Sequence, residues 1–256
     1  MRCLVLVFAL VALSADAQDE IPVVTPPGEQ AKAPSDAVVL FDGTSMDGWQ
    51  TAEGWPALCE LADGSMTCTS GVGNIFTKER FRSAQIHLEF NVPEMPDQRD
   101  QLRGNSGVYL HGRYEIQILD SYNNATYAVG MCGALYGQAP PRVNAARPPG
   151  EWQSYDIIFH APRCSDSGEL LQEATVTLLW NRVLVHDRVP IHASREACGP
   201  DRKEDSGPLM LQDHGGPGLP ITRMRFRNIW WRTLEEPAPE PAPPPAPGVG
   251  LVATIP

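Results

Sequence analysis

The sequence of 256 residues has no basic cluster, no CxxC pair and, beyond its first 17 residues, no long apolar run. Each absence excludes something. Lys and Arg number 20 against 31 Asp and Glu, a formal charge of −11. An acidic chain without a basic patch argues against nucleic acid and against anionic membranes as partners. Without CxxC spacing, a structural zinc site has no ligand frame. No stretch reaches the roughly 20 apolar residues that span a bilayer, so no transmembrane segment is expected. No segment keeps a 3.6-residue apolar period over three turns, so helices are not the framework.

What is present begins with an export signal. Arg2, the apolar run from Leu4 to Leu13 and Ala15-Asp16-Ala17 fit a signal peptide, residues 1–17. Cys3 precedes the apolar run and is therefore no lipid-anchor cysteine. A secreted or periplasmic protein is expected. Residues 18–36 read as a flexible leader, and 235–256, rich in Pro and Ala, as an extended tail. The span 37–234 is long enough for one all-β domain with a core. Cys59 and Cys68 flank a hairpin turn, and Cys164 and Cys198 lie in irregular loops. Each pair could bridge in an oxidising compartment, leaving Cys132 over.

About a dozen short alternating runs, separated by turn residues, predict a β-sandwich of antiparallel strands. The stretch Asn105–Asp120 reads as two strands, Ser106–His111 and Tyr114–Leu119, around a Gly112-Arg113 turn. Residues two apart share a face. Tyr114, Ile116 and Ile118 are then core, while Arg113, Glu115 and Gln117 form a polar row. A bulge near Leu119 would bring Asp120 into that row. Two more polar rows are His87/Glu89/Asn91 and Arg223/Arg225/Arg227. A polar row is usually a solvated sheet face. Three charged rows lining one concave sheet would instead mark a site. Residues 121–150 form a long loop carrying Tyr122, Tyr127, Tyr136 and Arg142, either a sugar-binding element or a covering flap.

Four motifs then occur in order: Leu40-Phe-Asp-Gly-Thr44 with Gly48-Trp49; Asn105-Ser-Gly-Val-Tyr-Leu-His-Gly-Arg-Tyr-Glu-Ile-Gln-Ile-Leu-Asp120; Pro149-Gly-Glu-Trp-Gln-Ser-Tyr-Asp-Ile157; and Gly207-Pro-Leu-Met-Leu-Gln-Asp-His-Gly215 with Arg227-Asn-Ile-Trp230. Together they resemble the 3-keto-disaccharide hydrolase domain family, from about Val38 to Thr233. The resemblance implies a concanavalin/laminin-G-like jelly roll of two antiparallel sheets. It also implies an exported protein acting on glycosides already oxidised at C3.

Glu115-x-Gln117-x-x-Asp120 is also similar to the Glu-x-Asp-x-x-Glu signature of β-glucanases on this fold. Here Gln and Asp replace two of the carboxylic residues. That argues against a retaining glycosidase, which needs two carboxyls about 5–5.5 Å apart. A 3-keto sugar needs no such pair. Its ketone acidifies the C2 proton, a base removes it, the enediolate expels the aglycone from C1, and water adds afterwards. The site needs a base, an acid, and a cationic group or divalent metal ion for the enediolate oxygen. On this resemblance Glu115 is the base or a metal ligand, His214 its acid/base partner, and Asp120 an orienting or ligating group. Asn105, Arg113, Gln117 and Gln212 would bind sugar hydroxyls, with His111 close in sequence to the row. Tyr136 or Trp152 would be the aromatic platform. The partner is an oxidised sugar or glycoside. The alternative is a non-catalytic, lectin-like carbohydrate-binding module.

Overall fold

The computed structural model describes residues 33–192, 197–198 and 206–235. The expected signal peptide, residues 18–32 of the leader and 236–256 of the tail lie outside the described residues. Among the described residues no helix is long and apolar enough to cross a membrane.

Alternation in the sequence becomes fifteen strands among the described residues. They are β1 (Val38–Phe41), β2 (Trp49–Gln50), β3 (Glu60–Ala62), β4 (Ser65–Thr69), β5 (Ile75–Phe81), β6 (Ala84–Asn91), β7 (Ser106–Leu110) and β8 (Tyr114–Ile118). Then follow β9 (Gln153–His160), β10 (Arg163–Cys164), β11 (Leu170–Gln172), β12 (Ala174–Trp180), β13 (Val183–Ile191), β14 (Gly207–Leu211) and β15 (Arg223–Thr233). One sheet runs β13-β12-β9-β6-β15-β4-β3, with β1 also paired to β15; the second runs β2-β5-β14-β7-β8. All pairings are antiparallel. This is the expected two-sheet jelly roll.

Burial follows the period of two. Ile86, Leu88 and Phe90 of β6 and Ile157 and Phe159 of β9 are fully buried, as are Val108, Leu110, Ile116 and Ile118 of the facing sheet. Tyr155 crosses between the layers: its ring packs on Phe90 at 4.7 Å, and its hydroxyl donates to the Gln117 carbonyl at 2.6 Å. The buried Cys132 thiol completes this chain, 3.0 Å from the Tyr155 hydroxyl. Burial pushes that thiol up to about 12, so it is an inert core group. Cys59–Cys68 and Cys164–Cys198 are disulfides.

The expectation that three polar rows line one sheet is corrected here. His87 and Glu89 on β6 and Arg225 and Arg227 on β15 are neighbours on the larger sheet. Glu115 and Gln117 belong to the smaller sheet, across the core. The long 121–150 loop is partly an edge cover. Gln117 N–H donates to the Ala134 carbonyl and Gly133 N–H to the Gln117 carbonyl, both at 2.9 Å. The edge of β8 is thereby closed, which removes an aggregation-prone row of unpaired backbone groups.

Candidate active site

The site grows from the β7–β8 hairpin. Leu110 pairs with Tyr114, so the connecting loop is His111-Gly112-Arg113, one residue longer than expected. His111 and Gly112 take positive φ, at 56° and 65°. The register then places Tyr109 directly opposite Glu115 and Gly107 opposite Gln117. Both Tyr109 and Glu115 point away from the core, because Val108, Leu110 and Ile116 point into it.

Gly107 makes room for the carboxylate. A Cβ at that position would lie 2.6 Å from Glu115 Oε1, so any larger residue would push the carboxylate aside. Glu115 is half-buried, and burial holds its carboxyl above the usual glutamate range despite a hydrogen bond from the Tyr109 hydroxyl. No cation contributes to that shift. Burial and then Glu115 push the Tyr109 phenol well above its ordinary range, so it is a neutral donor. Gln212 fixes the phenol from the other side, its Nε2 donating to the Tyr109 oxygen at 2.9 Å. On the outer edge, Tyr136 N–H donates to the Glu115 carbonyl at 3.0 Å, and the Tyr136 and Tyr127 hydroxyls lie 2.6 Å apart.

Further along the same face lies an amide cluster. Gln101 Oε1 accepts from Asn105 Nδ2 at 3.3 Å and from Gln117 Nε2 at 3.1 Å. Gln101 is itself held by Thr126 Oγ1 and the Gly130 carbonyl. The side-chain oxygens of Asn105, Gln117 and Gln212 are buried and accept no hydrogen bond from the protein. Buried acceptors without donors are rare and costly, and they commonly belong to ligand sites.

Glu115, Gln117, Asn105, Gln212 and Tyr136 are thus brought together. Four other residues are not. The β7–β8 register is continuous and β8 ends at Ile118, so there is no bulge to turn Asp120 into the row. The Asp120 carboxylate instead pairs with Arg103 Nε at 2.6 Å and accepts from Tyr122 N–H at 3.1 Å. His111 turns its ring inward against Phe81 and Phe159, at 5.0 and 4.9 Å, and its Nε2 bonds the Arg82 carbonyl. Arg113 is exposed in the hairpin loop rather than on the strand row. Trp152 immediately precedes β9 of the other sheet, its ring under Arg227 at 4.1 Å.

His214 shares a cleft with Gln212, lined also by Val72, Ile75, Leu211, Met224 and Phe226. Its neighbour Asp213 docks that turn onto the 70–73 loop by accepting from Gly71 and Gly73 N–H. The residues missed from the sequence are Tyr109 and Gln101. Among the described residues no group of three His, Cys, Asp or Glu side chains is arranged to hold a metal ion.

A two-sheet jelly roll with one desolvated carboxylate among phenols and amides has the build of a carbohydrate-active enzyme. Comparison with known proteins makes this specific. Residues 36–232 match the model of the 3-keto-alpha-glucoside-1,2-lyase-like domain, and the chain belongs to that family. A crystal structure from Parabacteroides distasonis ATCC 8503, provisionally named a glycosyl hydrolase, is 42% identical with a TM-score of 0.76. The match covers 84% of this chain and 92% of that one. A second provisional glycosyl hydrolase of the same organism shares the fold at 19% identity and a TM-score of 0.55, over 78% of this chain and 94% of that one. A search of curated proteins finds no match.

Proposed function

We propose that the protein cleaves the glycosidic bond of 3-keto-glycosides, with Glu115 as the base that removes the C2 proton. The observation that carries this reading is the solitary state of Glu115: a half-buried carboxylate of raised pKa with no cation beside it. Its strand-mate two residues on is an amide, and Asp120 is committed to Arg103. A retaining glycosidase would need a second carboxyl within about 5–5.5 Å. Proton abstraction beside a ketone needs one base near neutral pH.

Glu115 and Tyr109 account for the proton transfers. Glu115 takes the proton from C2, and the C–H electron pair becomes the C2=C3 enediolate. Those electrons then re-form the C3 ketone and a C1=C2 bond while the C1–O bond breaks. The leaving oxygen is protonated by the Tyr109 hydroxyl, and Glu115 returns its proton to Tyr109. Water then adds across C1=C2. The donorless oxygens of Asn105, Gln117 and Gln212 suit the hydroxyls of the sugar. Two disulfides support an exported protein. The test is release of a chromogenic aglycone from a 3-keto-glucoside by the purified domain. Release by wild type and none by Glu115→Gln is expected. Equal release by both would end this assignment; glycan binding without release by either would favour a lectin-like module.

A further inference from the structure

The enediolate oxygen of the reaction proposed above still lacks a donor, and the edge of β8 supplies one. Ile116 forms an isolated antiparallel bridge with Leu135, and both are fully buried. Their neighbours Glu115 and Tyr136 therefore stand opposite one another on the outer face. The bond from Tyr136 N–H to the Glu115 carbonyl, at 3.0 Å, belongs to that register. Tyr109 stands opposite Glu115 on the other side. Glu115 is thus the middle of a row of three, with a tyrosine on each flank and neighbouring strands ~4.8 Å apart.

The two flanking phenols differ in what they touch. The Tyr109 hydroxyl bonds the Glu115 carboxylate. The Tyr136 hydroxyl is engaged by Tyr127, the two oxygens 2.6 Å apart, and both side chains are exposed on the outer face. Tyr127 is fixed from beneath. A Cβ on Gly130 would lie 2.2 Å from its ring, and the Gly130 carbonyl accepts from Gln101 Nε2 at 2.9 Å and Gln117 Nε2 at 3.2 Å. The bond to Tyr136, then burial and nearby charge, that of Glu115 included, push the Tyr127 phenol up to about 12, so it keeps its proton. One proton lies between two bonded phenol oxygens, and the accepting phenol has its own left to give. With Tyr127 donating, that free proton belongs to Tyr136, the phenol beside the base.

C1, C2 and C3 of the sugar carry, in order, the leaving oxygen, the proton to be removed and the ketone. Tyr109, Glu115 and Tyr136 run in the same order across the sheet. We propose that Tyr136 donates to the C3 oxygen as the enediolate forms, with Tyr127 positioning its hydroxyl. The assignment rests on the reading of Glu115 as the base. In this step the C2–H electron pair becomes the C2=C3 bond and the carbonyl pair moves onto the C3 oxygen. Glu115 takes the proton; Tyr136 keeps its own and bonds the developing oxyanion.

A 3-keto sugar with hydrogen in place of the aglycone isolates this step, because nothing can leave. Deuterium uptake at its C2 from heavy water, followed by NMR, reads the base and the oxyanion donor alone. Tyr136→Phe is expected to slow uptake roughly 10²–10³-fold, the usual loss for one oxyanion donor. Tyr127→Phe should slow it less, and Tyr109→Phe should slow aglycone release from methyl 3-keto-glucoside more than it slows uptake. Thermal melting checks that each variant is folded. A second readout needs no turnover. Methyl 3-keto-glucoside labelled with carbon-13 at the ketone is bound to Glu115→Gln protein, and the carbonyl band is recorded by infrared spectroscopy. The band is expected at lower frequency than in Glu115→Gln/Tyr136→Phe. Uptake at the wild-type rate in Tyr136→Phe, or the same band with and without the Tyr136 hydroxyl, would overturn the assignment. Neither uptake nor release by wild type, with a band that still depends on Tyr136, would end the reading of Glu115 as base and leave Tyr136 as the donor to the ketone.

Discussion

Glu115 depends on Gly107 for its place and on burial for its pKa. Its raised carboxyl pKa means that folding favours the neutral form, so the charged form costs stability above that pKa. Glu115→Gln is therefore expected to abolish turnover while leaving Tm equal to wild type or higher; a large drop in Tm would make the residue structural. The base is active only when ionised. kcat/KM should thus rise with pH through a midpoint above the ordinary glutamate value of 4.5. A limb at or below that value would remove Glu115 from the role. Gly107→Ala pushes Oε1 aside, and a displacement of this kind costs roughly 10²-fold in rate. It should lower kcat with little change in melting. Glu115 and Gln117 were legible from alternation alone. Tyr109 was not, because a two-residue turn would have paired it with Ile116, on the wrong face. One residue in the hairpin loop decides which side chains meet.

At the level of the strand, the polar rows show what alternation cannot reveal. It tells which residues share a face, but not which strands share a sheet. His87 and Glu89 were legible as an outward row, yet their partners lie far away in sequence. His87 Nδ1 sits 2.6 Å from Asp156 Oδ1, and Glu89 accepts from Arg227 Nε at 2.7 Å and from Asn228 Nδ2 at 3.0 Å. Burial alone would lower the His87 pKa; the bonds to Asp156 and Glu89 outweigh it and raise the ring to about 9. This contribution to stability is full below the unfolded value near ~6.5 and is lost as pH rises through about 9. Melting temperature should fall across that window in wild type and fall less in His87→Gln. Asp120 was misplaced for a related reason: its partner Arg103 lies in the preceding loop, with no periodicity to mark it. Arg103→Ala strands a buried carboxylate and is expected to cost about 3 kcal/mol by denaturant titration.

Over the whole molecule, the fold was the most legible property, because turn signals and a period of two recur from Val38 to Thr233. The disulfides were legible only as candidates; spacing did not choose between pairing and free thiols. Closing a loop as short as that between Cys59 and Cys68 is worth roughly 2–3 kcal/mol in the chain-entropy view. Reductant should accordingly lower Tm, and Cys59→Ser/Cys68→Ser should reproduce part of that fall. An unchanged melting curve in reductant would show that neither bridge constrains the unfolded chain.

The Tyr155 hydroxyl that reaches through the core to the Gln117 carbonyl ties the strand of Glu115 to the opposite sheet. A strand held at its edge by Gly133 and Ala134 and from below by Tyr155 has no cheap way to open by itself. In deuterium exchange, the backbone of β8 should therefore stay protonated until the whole sandwich unfolds. The stretch around Tyr122 to Val129, largely exposed, should exchange within ordinary breathing motions. A ligand settling on this face would slow labelling of the second stretch and leave the first as it was, already at its ceiling.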